Sequence, residues 1–219
     1  MNRPFSSVPP GQPAPAREPL VIIVDDEAPV RDSLDSLFRS VGLRTQLHAA
    51  PAELLQSKMP DTPGCIVLDV RLPGISGLDF QAQLAAHGMD LPIVFMTGHG
   101  DIPMTVKAMK AGAVDFLAKP FREQDMLDAV TTAIERDTER RAESAALRGL
   151  KAAYETLTAR EREVMGHVVS GLMNKQVAGL IGLSEITVKI HRGNVMRKMG
   201  VRSLADLVRQ AHALGISPR

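Results

Sequence analysis

Residues 20–27 read Leu20-Val-Ile-Ile-Val24-Asp25-Asp26-Glu27, a short β-rich apolar run that ends directly in three carboxylates. Residues 65–68, 93–96 and 114–117 repeat the strand signal, and 43–47 reads as a further strand. Between the first two, Val30, Leu34, Leu37 and Val41 form one stripe at helical spacing, with Gly42 as a stop. Continued along the chain, the pattern gives five strands alternating with five helices, the last carrying Leu127, Val130 and Ile134. Strict alternation demands a parallel sheet covered by helices on both faces, an α/β doubly wound fold. Such sheets take their ligands at the carboxyl ends of the strands.

The polar residues fall where that rule requires. Asp25, Asp26 and Glu27 close the first strand, Asp69 the third and Thr97 the fourth, while Lys119-Pro120 follows the fifth. Taken singly, Asp25 reads as a helix cap, Lys119 as a surface charge and Thr97 as a turn residue; their joint placement sets those readings aside. Carboxylates that converge without compensating charge repel and raise one another's pKa values, so the cluster implies a bound cation. Oxygen ligands select Mg²⁺. Asp69 is then placed to act as a nucleophile towards phosphorus, with the metal and Lys119 neutralising charge and Thr97 donating a hydrogen bond to a phosphoryl oxygen.

Val24-Asp25-Asp26, Leu68-Asp69-Val-Arg71-Leu-Pro-Gly, Met96-Thr97-Gly-His99-Gly and Phe116-Leu-Ala-Lys119-Pro120-Phe121 resemble the response-regulator receiver domain, in particular its FixJ subfamily, over residues 20–136. The resemblance implies a flavodoxin-like receiver with Asp69 as phosphoacceptor. It makes Asp26 a direct Mg²⁺ ligand, Asp25 a ligand through water and the Arg71 carbonyl the backbone ligand. Thr97 and Lys119 would bind the phosphoryl group, and Phe116 would be the switch aromatic whose rotamer follows Thr97. Lys119-Pro120 resembles the family's cis bond. Arg71 and His99 are expected to tune phosphate lifetime from neighbouring loops. Phosphorylation would shift the helix from about Ile102 to Lys110 and change a dimerisation surface. An aspartyl phosphatase on a similar sheet is the competing enzyme reading; such enzymes usually carry a second aspartate two residues past the nucleophile, where this chain has Arg71. A receiver that serves only as a dimerisation scaffold is the second alternative.

Charge divides the chain. Residues 1–136 hold 12 Lys+Arg against 17 Asp+Glu, and residues 137–219 hold 14 against 8, so a polyanionic partner belongs to the C-terminal part. The proline-rich segment 1–19 reads as a disordered leader and 137–156 as a helical linker, continuous up to about Leu147. Cys65 stands alone in an apolar run, a buried structural thiol. No apolar run suits a bilayer and no secretory signal opens the chain, so a cytoplasmic protein without membrane contact is expected.

From Leu157 the strand signals stop, and four short helices fit, starting near Ala159, Asn174, Glu185 and Ser203. Thr158 and Glu161 have capping-box spacing, Gly182 permits a tight turn, and Ser184 is placed to cap the third helix. Val188, His191, Val195 and Met199 make that helix's core stripe, with His191 expected to be buried and hydrogen-bonded. Gly193 costs about 1 kcal/mol in a helix interior, which suggests a close approach there. Residues 157–219 hold Leu157-Thr-Ala-Arg-Glu161, Asn174-Lys-Gln-Val-Ala and Leu183-Ser-Glu-Ile-Thr-Val-Lys-Ile-His-Arg192, which resemble the LuxR/FixJ-type helix-turn-helix domain, a small all-α four-helix fold. The resemblance sends the helix 185–198 into the major groove. Lys189, Ile190 and Gly193 would face the bases, Lys175, Arg192 and Arg197 would contact phosphates, and Thr187 would also belong to the DNA-binding set. Leu204, Leu207, Val208 and Ala211 serve either packing or a dimer interface. The expected whole is a transcriptional response regulator, phosphorylated by a sensor histidine kinase, dimerising, binding promoter double-stranded DNA and meeting RNA polymerase.

Overall fold

The computed structural model describes residues 18–57, 59, 61–98 and 102–216. The expected leader lies outside them except for Glu18 and Pro19, whose carbonyls accept hydrogen bonds from Thr62 Oγ1 at 2.9 Å and the Arg44 N–H at 3.3 Å. The chain divides into two compact units, Met1–Glu139 and Arg140–Arg219.

In the first unit the five expected strands are β1 (Leu20–Val24), β2 (Arg44–His48), β3 (Gly64–Asp69), β6 (Ile93–Thr97) and β7 (Asp115–Ala118). All pair in parallel, in the order β2-β1-β3-β6-β7. The helices between them are α1 (Ala28–Ser40), α2 (Pro51–Gln56), α3 (Gly77–Ala86) and α4 (Ile102–Lys110). Side chains alternate across a strand, so each central strand feeds two cores. Ile22, Val24, Ile66, Leu68 and Phe95 face one, closed by Leu54 of α2 and by Phe80 and Leu84 of α3. Val21, Ile23, Cys65, Val67, Val94 and Met96 face the other, closed by Leu34 and Phe38 of α1. Burial alone drives the Cys65 thiol far above its ordinary range, with Asp137 adding to it, so this sulfur is structural. Sequence patterning gave no sign of a two-stranded hairpin, β4 (Arg71–Leu72) with β5 (Ile75–Ser76), because strands of two residues carry no period.

The last element, α5, runs Glu123–Glu155 as one 33-residue helix, past the expected Leu147. Its Met126, Ala129, Val130 and Ala133 close the second core of the receiver sheet. Asp137, where the linker was expected to begin, is fully buried and accepts a 3.0 Å hydrogen bond from the Gly64 N–H at the start of β3.

In the second unit, α6 (Ala159–Val169), α7 (Asn174–Ile181), α8 (Glu185–Lys198) and α9 (Leu204–Ala213) enclose a core of Val164, Met165, Val168, Val177, Val188, Val195 and Leu207. Their starts agree with the caps read in the sequence. Thr158 and Glu161 form a reciprocal capping box, Ser184 accepts from the Thr187 N–H at 3.1 Å, and Gly182 ends α7 in the left-handed region at φ 68°. Glu161 does more than cap: it is 3% exposed and takes a 2.6 Å ion pair from Lys198 of α8.

That pair makes the unit acid-sensitive. The hydrogen bond from Lys198, helped by the Thr158 N–H, holds the Glu161 carboxyl below its ordinary value of 4.5. A carboxyl depressed on folding stabilises fully above its unfolded pKa and loses that contribution as pH falls through its folded one. Thermal unfolding followed through Tyr154, the single tyrosine in a chain without tryptophan, reports this unit alone. Its midpoint is expected to hold at neutral pH and to fall below about pH 4.5 more steeply in wild type than in Glu161→Gln.

Candidate functional site

The crevice at the carboxyl end of the sheet follows from its strand order. The chain leaves β1 towards β2 on one side and leaves β3 towards β6 on the other, so these two connections run in opposite directions and open a cleft between the ends of β1 and β3. Asp25 and Asp69 leave those two ends, at 0% and 6% exposure, and Thr97 closes β6 fully buried. The Lys119 N–H donates to the Thr97 carbonyl at 2.7 Å, continuing the β6–β7 ladder. The following Lys119-Pro120 bond is cis. Lys119 Nζ donates to Asp25 Oδ2 at 2.8 Å and to Asp69 Oδ2 at 3.3 Å. Four of the expected residues therefore meet in one site.

The hairpin shapes the far wall. The Arg71 N–H donates to Asp69 Oδ1 at 3.2 Å, which pins the carboxylate. Gly77 begins α3 directly beneath: a Cβ there would lie 2.5 Å from the Asp69 carbonyl and 3.0 Å from Val70 Cα, so only glycine lets the helix start so close. Burial raises the Asp69 carboxyl above the usual carboxylate range, and the Arg71 N–H and Lys119 only partly oppose it. Burial alone would lower the Lys119 ammonium, but its bond to Asp25 and the charge of Asp69 outweigh that and hold it above its ordinary value. The cleft thus holds a fixed cation between two acids, with one acid reluctant to be charged.

Glu27 joins the carboxylate group. Oxygens of Asp25, Glu27 and Asp69 all lie within 4.8 Å of one another, whereas Asp26 is exposed and outside that group. Asp26 lies at a bend past β1, and Glu27 follows it at φ −82° and ψ 107°. The Glu27 N–H also donates to Asp25 Oδ1 at 2.8 Å. The donor set, three carboxylates, suits a hard divalent cation. Phe116 is half-buried in β7, its ring 6.3 Å from that of Phe95. His99 lies outside the described residues.

In the second unit, α8 buries Val188, Val195 and Met199 and presents Ile186, Ile190, Gly193 and Arg197 on one outward stripe, with Lys189 exposed beside it. Ile186 and Ile190 are 74% and 59% exposed, a poor use of isoleucine unless something covers them. Two of the expected contacts are already engaged within the unit: Thr187 Oγ1 with Ser184 Oγ at 2.8 Å, and Arg192 with Asn174 Oδ1 at 3.1 Å. Lys175, at the start of α7, is exposed. A Cβ on Gly193 would meet nothing within 4 Å, so no neighbour in the chain requires glycine there. His191 is half-buried, but its buried Nδ1 has no partner, unlike the hydrogen-bonded histidine expected.

No helix among the described residues is long and apolar enough to cross a membrane. Residues 21–131 match the family described as response regulator receiver domain, and residues 155–211 match that described as bacterial regulatory proteins, luxR family. Nodulation protein W of Bradyrhizobium diazoefficiens is 59% identical over 90% of this chain and 87% of its own length. Transcriptional regulatory protein FixJ of Azorhizobium caulinodans is 42% identical over 90% of this chain and 94% of its own. Among solved structures, response regulator StyR superposes with a TM-score of 0.81 at 46% identity, covering 90% of this chain and 99% of StyR. Matched along both units to proteins of this kind, the chain belongs to the FixJ-like response regulators, transcriptional regulators that join a receiver to a LuxR-type DNA-binding domain.

Proposed function

We propose that Asp69 accepts the phosphoryl group that switches this regulator, and that α8 carries the resulting DNA binding. The observation that supports it is the buried Asp25–Lys119–Asp69 bridge, which holds one carboxylate oxygen beside a fixed ammonium at the mouth of the cleft. The ionised Asp69 oxygen attacks the phosphorus of a kinase phosphohistidine or a small acyl phosphate; the new O–P bond forms as the N–P or O–P bond to the donor breaks, the leaving imidazole taking a proton from solvent and a leaving carboxylate departing as the anion. Mg²⁺, when bound, neutralises the phosphoryl oxygens. It would be held by Asp69, the Arg71 carbonyl and Asp25 through water, with Asp26 and Glu27 supplying exposed carboxylates. Lys119 then exchanges its Asp69 partner for a phosphoryl oxygen, and Thr97 supplies a hydroxyl from the end of β6. The chain at most catalyses its own phosphorylation and dephosphorylation; the donor kinase brings the energy.

The partners follow from the surfaces. A groove of about 360 Å³ beside Lys119, lined by Pro29, Val30, Ser33, Leu34, Pro120 and Phe121, offers an apolar seat for the kinase next to the acceptor. Ile102, Val106 and Met109 of α4, spaced i, i+4, i+7 and all exposed, supply an apolar stripe for a homodimer. On α8, Lys189, Ile190 and Gly193 meet the bases and Arg197 a phosphate, with exposed Lys175 of α7 alongside, and Thr187 and Arg192 once Ser184 and Asn174 yield them. RNA polymerase would be met from the promoter-bound dimer. The reading is tested by incubating the full chain with acetyl phosphate and Mg²⁺. One acid-stable, base-labile phosphoryl mass on the peptide containing Asp69, together with tighter binding to a selected duplex, is expected; continuous hydrolysis of the donor without a lasting adduct would indicate a phosphatase.

A further inference from the structure

The recognition helix α8 has a second set of contacts, at its C-terminal end and away from its outward stripe. Lys198 follows Arg197 and so points about 100° round the helix from it, towards the unit's interior. Its side chain is 24% exposed, and its Nζ makes two bonds: to Glu161 Oε2 at 2.6 Å and to the Thr156 carbonyl at 3.0 Å. Both acceptors are themselves fixed. The same Glu161 oxygen takes the Thr158 N–H at 2.8 Å in the capping box of α6. Thr156 lies immediately past the last turn of α5, and its neighbouring Glu155 carbonyl accepts from Arg162 of α6 at 3.0 Å. The Arg162 guanidinium also lies 5.2 Å over the Tyr154 ring, and Leu150, Ala153 and Tyr154 pack on the core of this unit. Basic side chains thus bind the free carbonyls at the end of α5, where the helix dipole favours positive charge. One of those basic side chains belongs to the helix that reads DNA.

We propose that Lys198 is a positioning residue for DNA binding: it ties the C-terminal turn of α8 to the end of α5 and to the α6 cap, and so fixes the angle at which Ile190, Gly193 and Arg197 reach the groove. The inference rests on the reading that α8 enters DNA. It assigns Lys198 a task opposite to that of a surface lysine near a polyanion. Its charge is engaged inside the protein, so it contributes geometry and releases no counterion from DNA. Base readout needs register to within a fraction of an ångström, whereas phosphate contacts by long side chains tolerate small displacements. Loss of Lys198 therefore damages discrimination more than it damages attraction.

The test uses the full chain treated with acetyl phosphate and Mg²⁺, a duplex selected by it from a random pool, and a scrambled duplex of the same composition. Lys198→Met, which keeps the apolar stem, is expected to weaken the selected duplex about tenfold, the equivalent of one charged hydrogen bond. It should leave scrambled-duplex affinity within about twofold and the salt dependence unchanged. Lys198→Arg, which retains charge and donors, should restore discrimination. Arg197→Ala is the contrast: it weakens binding to both duplexes alike by removing a phosphate partner, and it reduces the salt slope by about 0.9. A Lys198→Met protein whose salt slope falls by the same amount on both duplexes has been stripped of a phosphate partner, and the proposal falls. Unchanged discrimination also overturns it. Should Tyr154 fluorescence show Lys198→Met unfolded, Glu161→Gln decides: it keeps the cap acceptor but drops the charge, and a folded Glu161→Gln with wild-type discrimination overturns the proposal. If Lys189→Ala and Arg197→Ala bind both duplexes as wild type does, the α8 reading fails and this proposal with it. If they weaken binding and Lys198→Met does not, only the positioning role fails.

Discussion

Asp69→Ala is expected to lose all phosphoryl uptake from acetyl phosphate and all response of DNA binding to the donor, without losing stability. The first part follows from covalent chemistry. The cleft brings together Asp25, Glu27 and Asp69, but the two buried oxygens of Asp25 are occupied by Lys119 and by the Glu27 N–H, and Glu27 lies at the exposed rim. Asp69 alone pairs burial with an oxygen held by Lys119 at the longer 3.3 Å, the one most easily given up. The second part follows from linkage. Coupling between two sites is typically about 1–3 kcal/mol, so the donor is expected to tighten wild-type DNA binding by roughly 5-fold to 150-fold and Asp69→Ala by none. Equal affinity of the two proteins, each with acetyl phosphate and Mg²⁺, would sink the phosphoswitch and leave the receiver as a dimerisation scaffold.

The stability arm separates lost chemistry from lost fold. Burial lifts the Asp69 carboxyl above its unfolded value, so its ionised form is disfavoured in the folded chain. A group raised on folding stabilises fully below its unfolded pKa and loses that contribution as pH rises through its folded one. At neutral pH with divalent ions chelated, Asp69 is therefore a cost, and Asp69→Ala should melt at or above the wild-type temperature. A lower melting temperature would mean that the Lys119 bridge, and not burial, dominates the site.

Asp69, Asp25, Thr97 and Lys119 were legible because they stand at, or one step past, the carboxyl ends of strands that announce themselves, and a parallel sheet gathers such positions at one edge. The caps were legible for the same local reason: Thr158 with Glu161, and Ser184 with Thr187, act within one helical turn. What escaped depends on partners far along the chain or on side-chain direction. Asp137 reads as one more charge in a charged helix, since its partner Gly64 lies 73 residues away. Lys198 reads as one more basic residue at the end of a helix until Glu161, 37 residues back, is found beside it. The hydrogen bond from Arg192 to Asn174, 18 residues back, likewise shows only in the fold. The open space at Gly193 removes any internal reason for that glycine, which leaves only the outward face to account for it.

Gly64→Ala is expected to destabilise the receiver by about 2–4 kcal/mol, the sum of overpacking and a strained backbone hydrogen bond. Gly64 opens β3 in register with Leu20 of β1, and an added Cβ would lie 2.3 Å from the Leu20 carbonyl oxygen and 3.3 Å from its carbon. Both atoms are backbone in the middle of a sheet, so no rotamer change relieves the contact. The strands must part, and in parting they move the Gly64 N–H away from Asp137 Oδ2, its 3.0 Å acceptor. Glycine is thus what allows the first residue of β3 to hold both a neighbouring strand and the α5 helix. Urea unfolding followed by far-ultraviolet circular dichroism measures the loss, with Gly149→Ala in α5 and Gly166→Ala in α6 as controls. A Cβ at either control position meets nothing within 4 Å, so each should be neutral or gain about 0.5–1 kcal/mol from helix propensity. An unchanged midpoint in Gly64→Ala would refute the close β1–β3 approach. A loss matched by Asp137→Ala alone would instead place the whole effect in the hydrogen bond to α5.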